Sequence, residues 1–267
     1  MQAVLGIDAA WSENNPSGVA LIVERRGRWE VVAVDRCYAD FCARQGDKSV
    51  EVLYPNKPDV RSLLAAATVF CDGLRPCVIA VDMPLSLDPI RSRRIADNAI
   101  NAAYASRWCS THTPSSARPG QISDVFRNDC AELNYPLRTQ RFDGFGLVEV
   151  YPHPALVELA VEPHRLEYKY ANRRRYWPSL SNDMRKESIF RVWDTILDHL
   201  ECELAGVRNS LRHIDRHTEP KGYEDAIDGL ICAWVGRCVI EGRAMPYGDD
   251  RAAIWVPLPR DHWVSTQ

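Results

Sequence analysis

No two glycines stand side by side anywhere in the 267 residues. The glycine-rich loops that cradle phosphates are missing with them. No G-x-x-x-x-G-K-[ST] occurs, and Gly144 and Gly146 do not extend to G-x-G-x-x-G because position 149 is glutamate. No G-x-S-x-G elbow is present to expose a nucleophilic serine. The nine cysteines form no C-x-x-C pair and are odd in number, which leaves no basis for a disulfide framework or a thiolate zinc site. Several of them, such as Cys77 before Val78-Ile79-Ala80-Val81, are expected to be small core residues. A basic excess is absent as well: the formal net charge is −3, so any contact with nucleic acid must come from a local basic patch. No run approaches the roughly 20 apolar residues of a membrane span. Met1-Gln2-Ala3-Val4-Leu5-Gly6 lacks the basic and apolar regions of a signal peptide. The expectation is a cytoplasmic protein with no membrane partner.

What the chain does have is apolar patterning, with 46% hydrophobic residues, enough for one sizeable core. Ala3–Ile7 reads as a strand ending at Asp8, followed by a loop of turn formers from Ser12 to Gly18. Gly18–Glu24 and Trp29–Cys37 flank the Arg25-Arg26-Gly27-Arg28 turn, and the three strands together predict an antiparallel meander. Lys57–Leu74 has helical spacing. Cys77–Val81 is a continuous apolar run, as in a strand covered on both faces. Arg91–Trp108 reads as a helix, followed by a loop from Ser110 to Gly120 and a polar segment up to Gly146. Leu147–Tyr151 is a strand closed by Pro152 and Pro154. Met184–Leu204 and Tyr223–Arg243 are helices, the second apolar on most of its circumference and hence buried. A short strand, Ala253–Val256, ends the order. The expected fold is α/β: one domain over residues 1–267, with a mixed five-stranded sheet flanked by helices and an insertion over about residues 91–146.

Two of the apolar strands end in aspartate, at Asp8 and Asp82. If they run parallel, both side chains emerge at one sheet edge, where open α/β sheets place ligands. Glu149 lies between two valines in a third strand, where an acid is costly unless it is paired or binds a cation. Asp225 and Asp228 are three apart, on one helix face that continues through Cys232, Val235 and Val239. Asp225 is read in the first helical turn. Asp228, deeper and beside the apolar stripe, is expected to be the costlier carboxylate when no metal is bound. Carboxylates gathered in this way repel one another unless they hold protons or cations. With oxygen ligands only, Mg²⁺ or Mn²⁺ is the expected ion, and two such ions can clamp the oxygens of a phosphodiester.

Gly6-Ile7-Asp8, Val81-Asp82-Met83-Pro84-Leu85, Arg94-Ile95-Ala96-Asp97, Val148-Glu149-Val150-Tyr151-Pro152-His153-Pro154 and Glu224-Asp225-Ala226-Ile227-Asp228-Gly229-Leu230 stand in this order along the chain. They resemble the motifs of domain-of-unknown-function family 429, described as predicted nucleases with an RNase H-like fold. The D-A-x-D segment also resembles the last catalytic helix of RuvC-type resolvases. The resemblance implies an RNase H-like fold and a metal-dependent nuclease. Asp8, Asp82, Asp225 and Asp228 would then be metal ligands, and Glu149 would be a further catalytic carboxylate.

Lys169, Arg173, Arg174 and Arg175 alternate with Tyr170, Tyr176 and Trp177, a pattern suited to a single-stranded nucleic acid, DNA or RNA. Arg94 offers a further phosphate contact, or a partner for Asp97 on the same helix face. His153 is held between two prolines, where it would orient Glu149 or a phosphate. His217, just before the last catalytic helix, is placed to assist product release. His213 and His217 have zinc-helix spacing, but Ile214 replaces the glutamate of H-E-x-x-H and no third ligand stands nearby. Two other readings keep the fold: a catalytically silent binding or scaffold protein, and an actin-like ATPase or sugar kinase. The missing glycine-rich loops argue against the second. Oligomeric state is left open by the sequence.

Overall fold

The computed structural model describes residues 1–11, 15–44 and 59–262. Its seven strands are β1 (Ala3–Asp8), β2 (Gly18–Arg25), β3 (Arg28–Asp35), β4 (Val78–Val81), β5 (Gly146–Val150), β6 (Ala244–Gly248) and β7 (Ala253–Pro257). They form one mixed sheet in the order β3-β2-β1-β4-β5-β7-β6. β1, β4, β5 and β7 run parallel, each to the next, and β2 is antiparallel to both β1 and β3. The α/β class and the meander are as the sequence predicts, but the sheet has seven strands rather than five. β7 continues it beyond β5, and β6 pairs antiparallel at the outer edge. No apolar run announces β6, whose sequence Ala-Met-Pro-Tyr-Gly carries a proline that only an edge strand tolerates.

The helices are α1 (Tyr38–Ala43), α2 (Val60–Phe70), α3 (Ile95–Tyr104), α4 (Gln121–Glu132), α5 (Pro152–Ala160), α6 (Arg173–Tyr176), α7 (Asn182–Glu203), α8 (Val207–Ser210) and α9 (Pro220–Ile240). α2 starts behind Asp59, whose carboxylate accepts from the Arg61 and Ser62 amides. The expected helix start at Lys57 lies outside the described residues, as do Ser12, Glu13 and Asn14 of the expected loop. Pro152 and Pro154 do not merely close β5. They occupy the first turn of α5, where a missing N–H costs nothing. Within the stretch 91–146, α3 packs its Ala96 and Ile100 against Ile254 and Val256 of β7, and α4 adds Phe126 and Cys130 to the core around α2. No helix of the described residues is long and apolar enough to cross a membrane.

Strand alternation divides the core. Val4, Ala20, Val78, Ala80, Val148 and Val150 face α5, α7 and α9, while Leu5, Ile7, Leu21, Ile79, Val81 and Leu147 face α1, α2 and α4. Both faces are covered, so the central strands read as unbroken apolar runs. α9 lies closest to the sheet, and two glycines allow the approach. A Cβ on Gly6 would overlap the backbone of Gly229 and Ala233, and one on Gly18 would overlap the Asp225 carbonyl. This seating fixes the height of α9 over the C-terminal end of β1. Gly18→Ala would have to displace helix backbone rather than a side-chain tip. It should lower the unfolding free energy by about 3 kcal/mol, the upper range of overpacking costs, as read from denaturant melts. A loss under about 0.5 kcal/mol would mean that α9 is not held against β2.

Candidate metal centre

β1 and β4 are parallel with Ile7 beside Val81, so Asp8 and Asp82 leave neighbouring strands at the same edge. Alternation puts Asp8 with Gly6, and Asp82 with Ala80, on the face that α9 covers. α9 contributes Asp225 and Asp228, both buried. Carboxylate oxygens of Asp8, Asp225 and Asp228 lie within 4.8 Å of one another. One of them, Asp225 Oδ2, is buried with no hydrogen-bond partner. A purely carboxylate donor set with an orphaned buried oxygen fits a hard divalent cation. Asp82 stands beside this triad rather than in it.

Two lysines reach the cluster. Lys169 Nζ pairs with Asp228 Oδ2 and lies 3.8 Å from Glu224 Oε1. Lys221 Nζ pairs with Asp225 Oδ1 and, at 3.2 Å, with Glu224 Oε1. Tyr168 donates its hydroxyl to Asp228 Oδ1 at 2.7 Å. Asp228 is therefore a partnered residue, which corrects the expectation that it is the costly unpaired one. α9 also begins at Pro220, so Asp225 sits in the second turn rather than the first.

Burial raises the carboxyls of the cluster. Asp8 is pushed well above the usual carboxylate range, first by burial and then by Asp228. Burial takes Asp225 to about 6 against the pull of Lys221, and Asp82 to about 7 against that of Lys169. For Lys169, burial opposes the charge, but Asp228, Tyr168 and Glu224 outweigh it and hold the ammonium well above its ordinary value. Without metal, the folded protein thus binds protons that the unfolded chain releases. The stabilising contribution of Asp225 and Asp82 is complete below about pH 4 and is lost as pH rises through about 6 and about 7, respectively. A cation needs the deprotonated oxygens, so stabilisation by Mn²⁺ should grow over the same interval. Thermal melts with and without Mn²⁺ should show a larger rise in Tm at about pH 8 than at about pH 5. Equal rises would put the ion elsewhere.

Above the cluster opens a cleft of about 620 Å³ lined by Asp8, Asp82 and Asp225 on one side. His112, Arg118, Arg165, Lys169 and Lys221 also line it, the two lysines already paired with Asp228 and Asp225. The Arg118 guanidinium lies 5.6 Å from the Trp11 ring centre, and Trp11 and Tyr151 also line the cleft. His153 is in the wall. Burial, then Arg165 and Lys169, hold its pKa well below the usual value, which keeps the ring neutral at physiological pH.

Other expected site residues lie apart. Glu149 alternates with Val148 and so faces away from α9. Both its oxygens accept from Arg94, at 2.6 and 2.7 Å, and one also accepts from the Leu85 amide at 2.7 Å. Arg94 further binds both Asp97 oxygens and the Leu85 carbonyl. Its donors are spent inside the fold, which leaves none for a substrate phosphate. Arg174 and Arg175 are exposed on α6, and Arg173 covers the Tyr170 ring at 4.1 Å. None of the three lines the cleft. His217 is exposed and packs edge-on against Phe190. His213 is not its zinc partner: it bonds Asp35 at 3.1 Å. Of the predicted residues, Asp8, Asp82, Asp225, Asp228, Lys169 and His153 come together. Lys221, Glu224, Arg118 and Arg165 join them without having been anticipated, although the four-residue spacing of Lys221 to Asp225 was a usable signal.

No curated protein and no solved structure matches the chain. A family described as protein of unknown function (DUF429) matches residues 6–252, a span that takes in every carboxylate and lysine of the cluster. On that match over nearly its whole length, the chain belongs to the DUF429 family.

Proposed function

We propose that this protein is a Mg²⁺- or Mn²⁺-dependent hydrolase of phosphodiester bonds with nucleic acid as its substrate. The observation that carries the reading is the pairing of opposite needs in one cleft. Asp8 and Asp225 in its lining, with Asp228 behind them, place three carboxylate oxygens within 4.8 Å of one another and call for a cation, while Arg118 and Arg165 in the same lining call for an anion. A phosphate bridging the two satisfies both. The element order β1-β2-β3-α-β4, shared by RNase H-like nucleases, supports this at the level of fold.

Asp8, Asp225 and Asp228 would hold the ion. When bound, such an ion polarises a phosphoryl oxygen and lowers the pKa of water. Arg118 and Arg165 would take the flanking phosphates, and Trp11 and Tyr151 offer aromatic walls to bases. Asp82, with its carboxyl near 7, is poised to accept a proton at neutral pH. Incubation with labelled single- and double-stranded DNA and RNA, with Mn²⁺ or with chelator, tests the reading. The expected outcome is metal-dependent cleavage of at least one substrate. Retention of all four uncut by protein shown to bind Mn²⁺ would overturn it in favour of a silent binding protein.

A further inference from the structure

We infer that the carboxylate cluster holds one divalent cation rather than two, the ammonium of Lys169 standing where a second ion would sit. The inference rests on the metal reading of this site and specifies its stoichiometry. Among the described residues, a single group of three acidic side chains closes to ligating distance: Asp8, Asp225 and Asp228. A second site would need Asp82 together with Asp228. The Lys169 ammonium already pairs with Asp228 Oδ2, lies 3.8 Å from Glu224 and acts on the Asp82 carboxylate as well.

Lys169 is not a surface side chain that happens to reach inward. The residues on both sides of it are fastened to α9 or to α7. The Tyr168 hydroxyl donates to Asp228 at 2.7 Å, and the Tyr170 amide donates to Glu224 Oε2 at 2.5 Å. The Tyr168 carbonyl in turn accepts from the Trp193 indole at 2.8 Å. With 168 and 170 clamped, the position of residue 169 is set, and its ammonium lies 4.9 Å from the centre of the Tyr168 ring. Asp228 can still ligate, since each carboxylate oxygen accepts more than one partner, and Asp225 Oδ2 has no other.

The test is a count of bound Mn²⁺ on the full chain, by equilibrium dialysis and by the loss of the free-ion electron paramagnetic resonance signal. The parent should bind one ion per chain at saturation. Lys169→Met should bind two, and Lys169→Arg, which keeps the charge, should remain at one. Two ions on the parent would overturn the inference and leave the metal reading standing; no bound ion would overturn both. A count of one on a folded Lys169→Met, checked by circular dichroism, would also overturn it. Should that variant fail to fold, the parent count alone decides.

Discussion

Arg94→Met should lower the unfolding free energy by about 3–5 kcal/mol at neutral pH. Arg94 is the hub of a buried network in which its guanidinium spans Glu149 and Asp97 and also binds the Leu85 carbonyl. Methionine fills similar volume but leaves two carboxylates without a cation in the interior, and the cost comes from those rather than from lost packing. Burial already raises the Glu149 pKa even with Arg94 beside it. Without Arg94, protonation becomes the only relief, so the variant should regain part of its stability as pH falls toward about 5. Urea melts at two pH values read both effects. A loss under about 1 kcal/mol, or one that does not change with pH, would mean that the network does not carry the charge. Mn²⁺ binding by the folded variant should be unchanged, because neither Arg94 nor Glu149 touches the triad.

Asp225→Asn should have the opposite profile. Lys221 loses one partner but keeps Glu224 at 3.2 Å and is 60% exposed, so the metal-free stability should hold or rise slightly as like-charge repulsion is relieved. Mn²⁺ affinity should fall by more than the roughly 100-fold that loss of an outer-shell partner can cost at metal sites. Metal-dependent cleavage should fall with it. Titration of Mn²⁺ against Tm measures both quantities on the same sample. A variant with parental affinity would remove Asp225 from the site.

Period-two alternation made much of this site legible. Asp8 continues the face of Val4 and Gly6, Asp82 that of Val78 and Ala80, and the spacing of Asp225 and Asp228 puts them on one side of a helix. The same alternation sets Glu149 with Leu147, on the other face, and so separates it from the aspartates. An acid in an apolar strand signals a partner, but not whether that partner is an ion or an arginine. Here it is Arg94, 55 positions away, and such pairing across the sequence leaves no local trace. Lys169 gave only part of its role for a related reason. Its basic and aromatic neighbours suit a phosphate contact, yet Tyr168 and Tyr170 serve to bind the segment to α9. β6 and α5 were hidden by prolines, which here sit at a sheet edge and in a first helical turn, where they do little harm.

The most direct measurement of the central claim is anomalous X-ray scattering from crystals of the parent protein grown with Mn²⁺. The account predicts a manganese peak enclosed by the carboxylates of Asp8, Asp225 and Asp228, with none at Glu149. Crystals in saturating Mn²⁺ that show no peak among those three residues, their charges met by Lys169 and Lys221 alone, would contradict it.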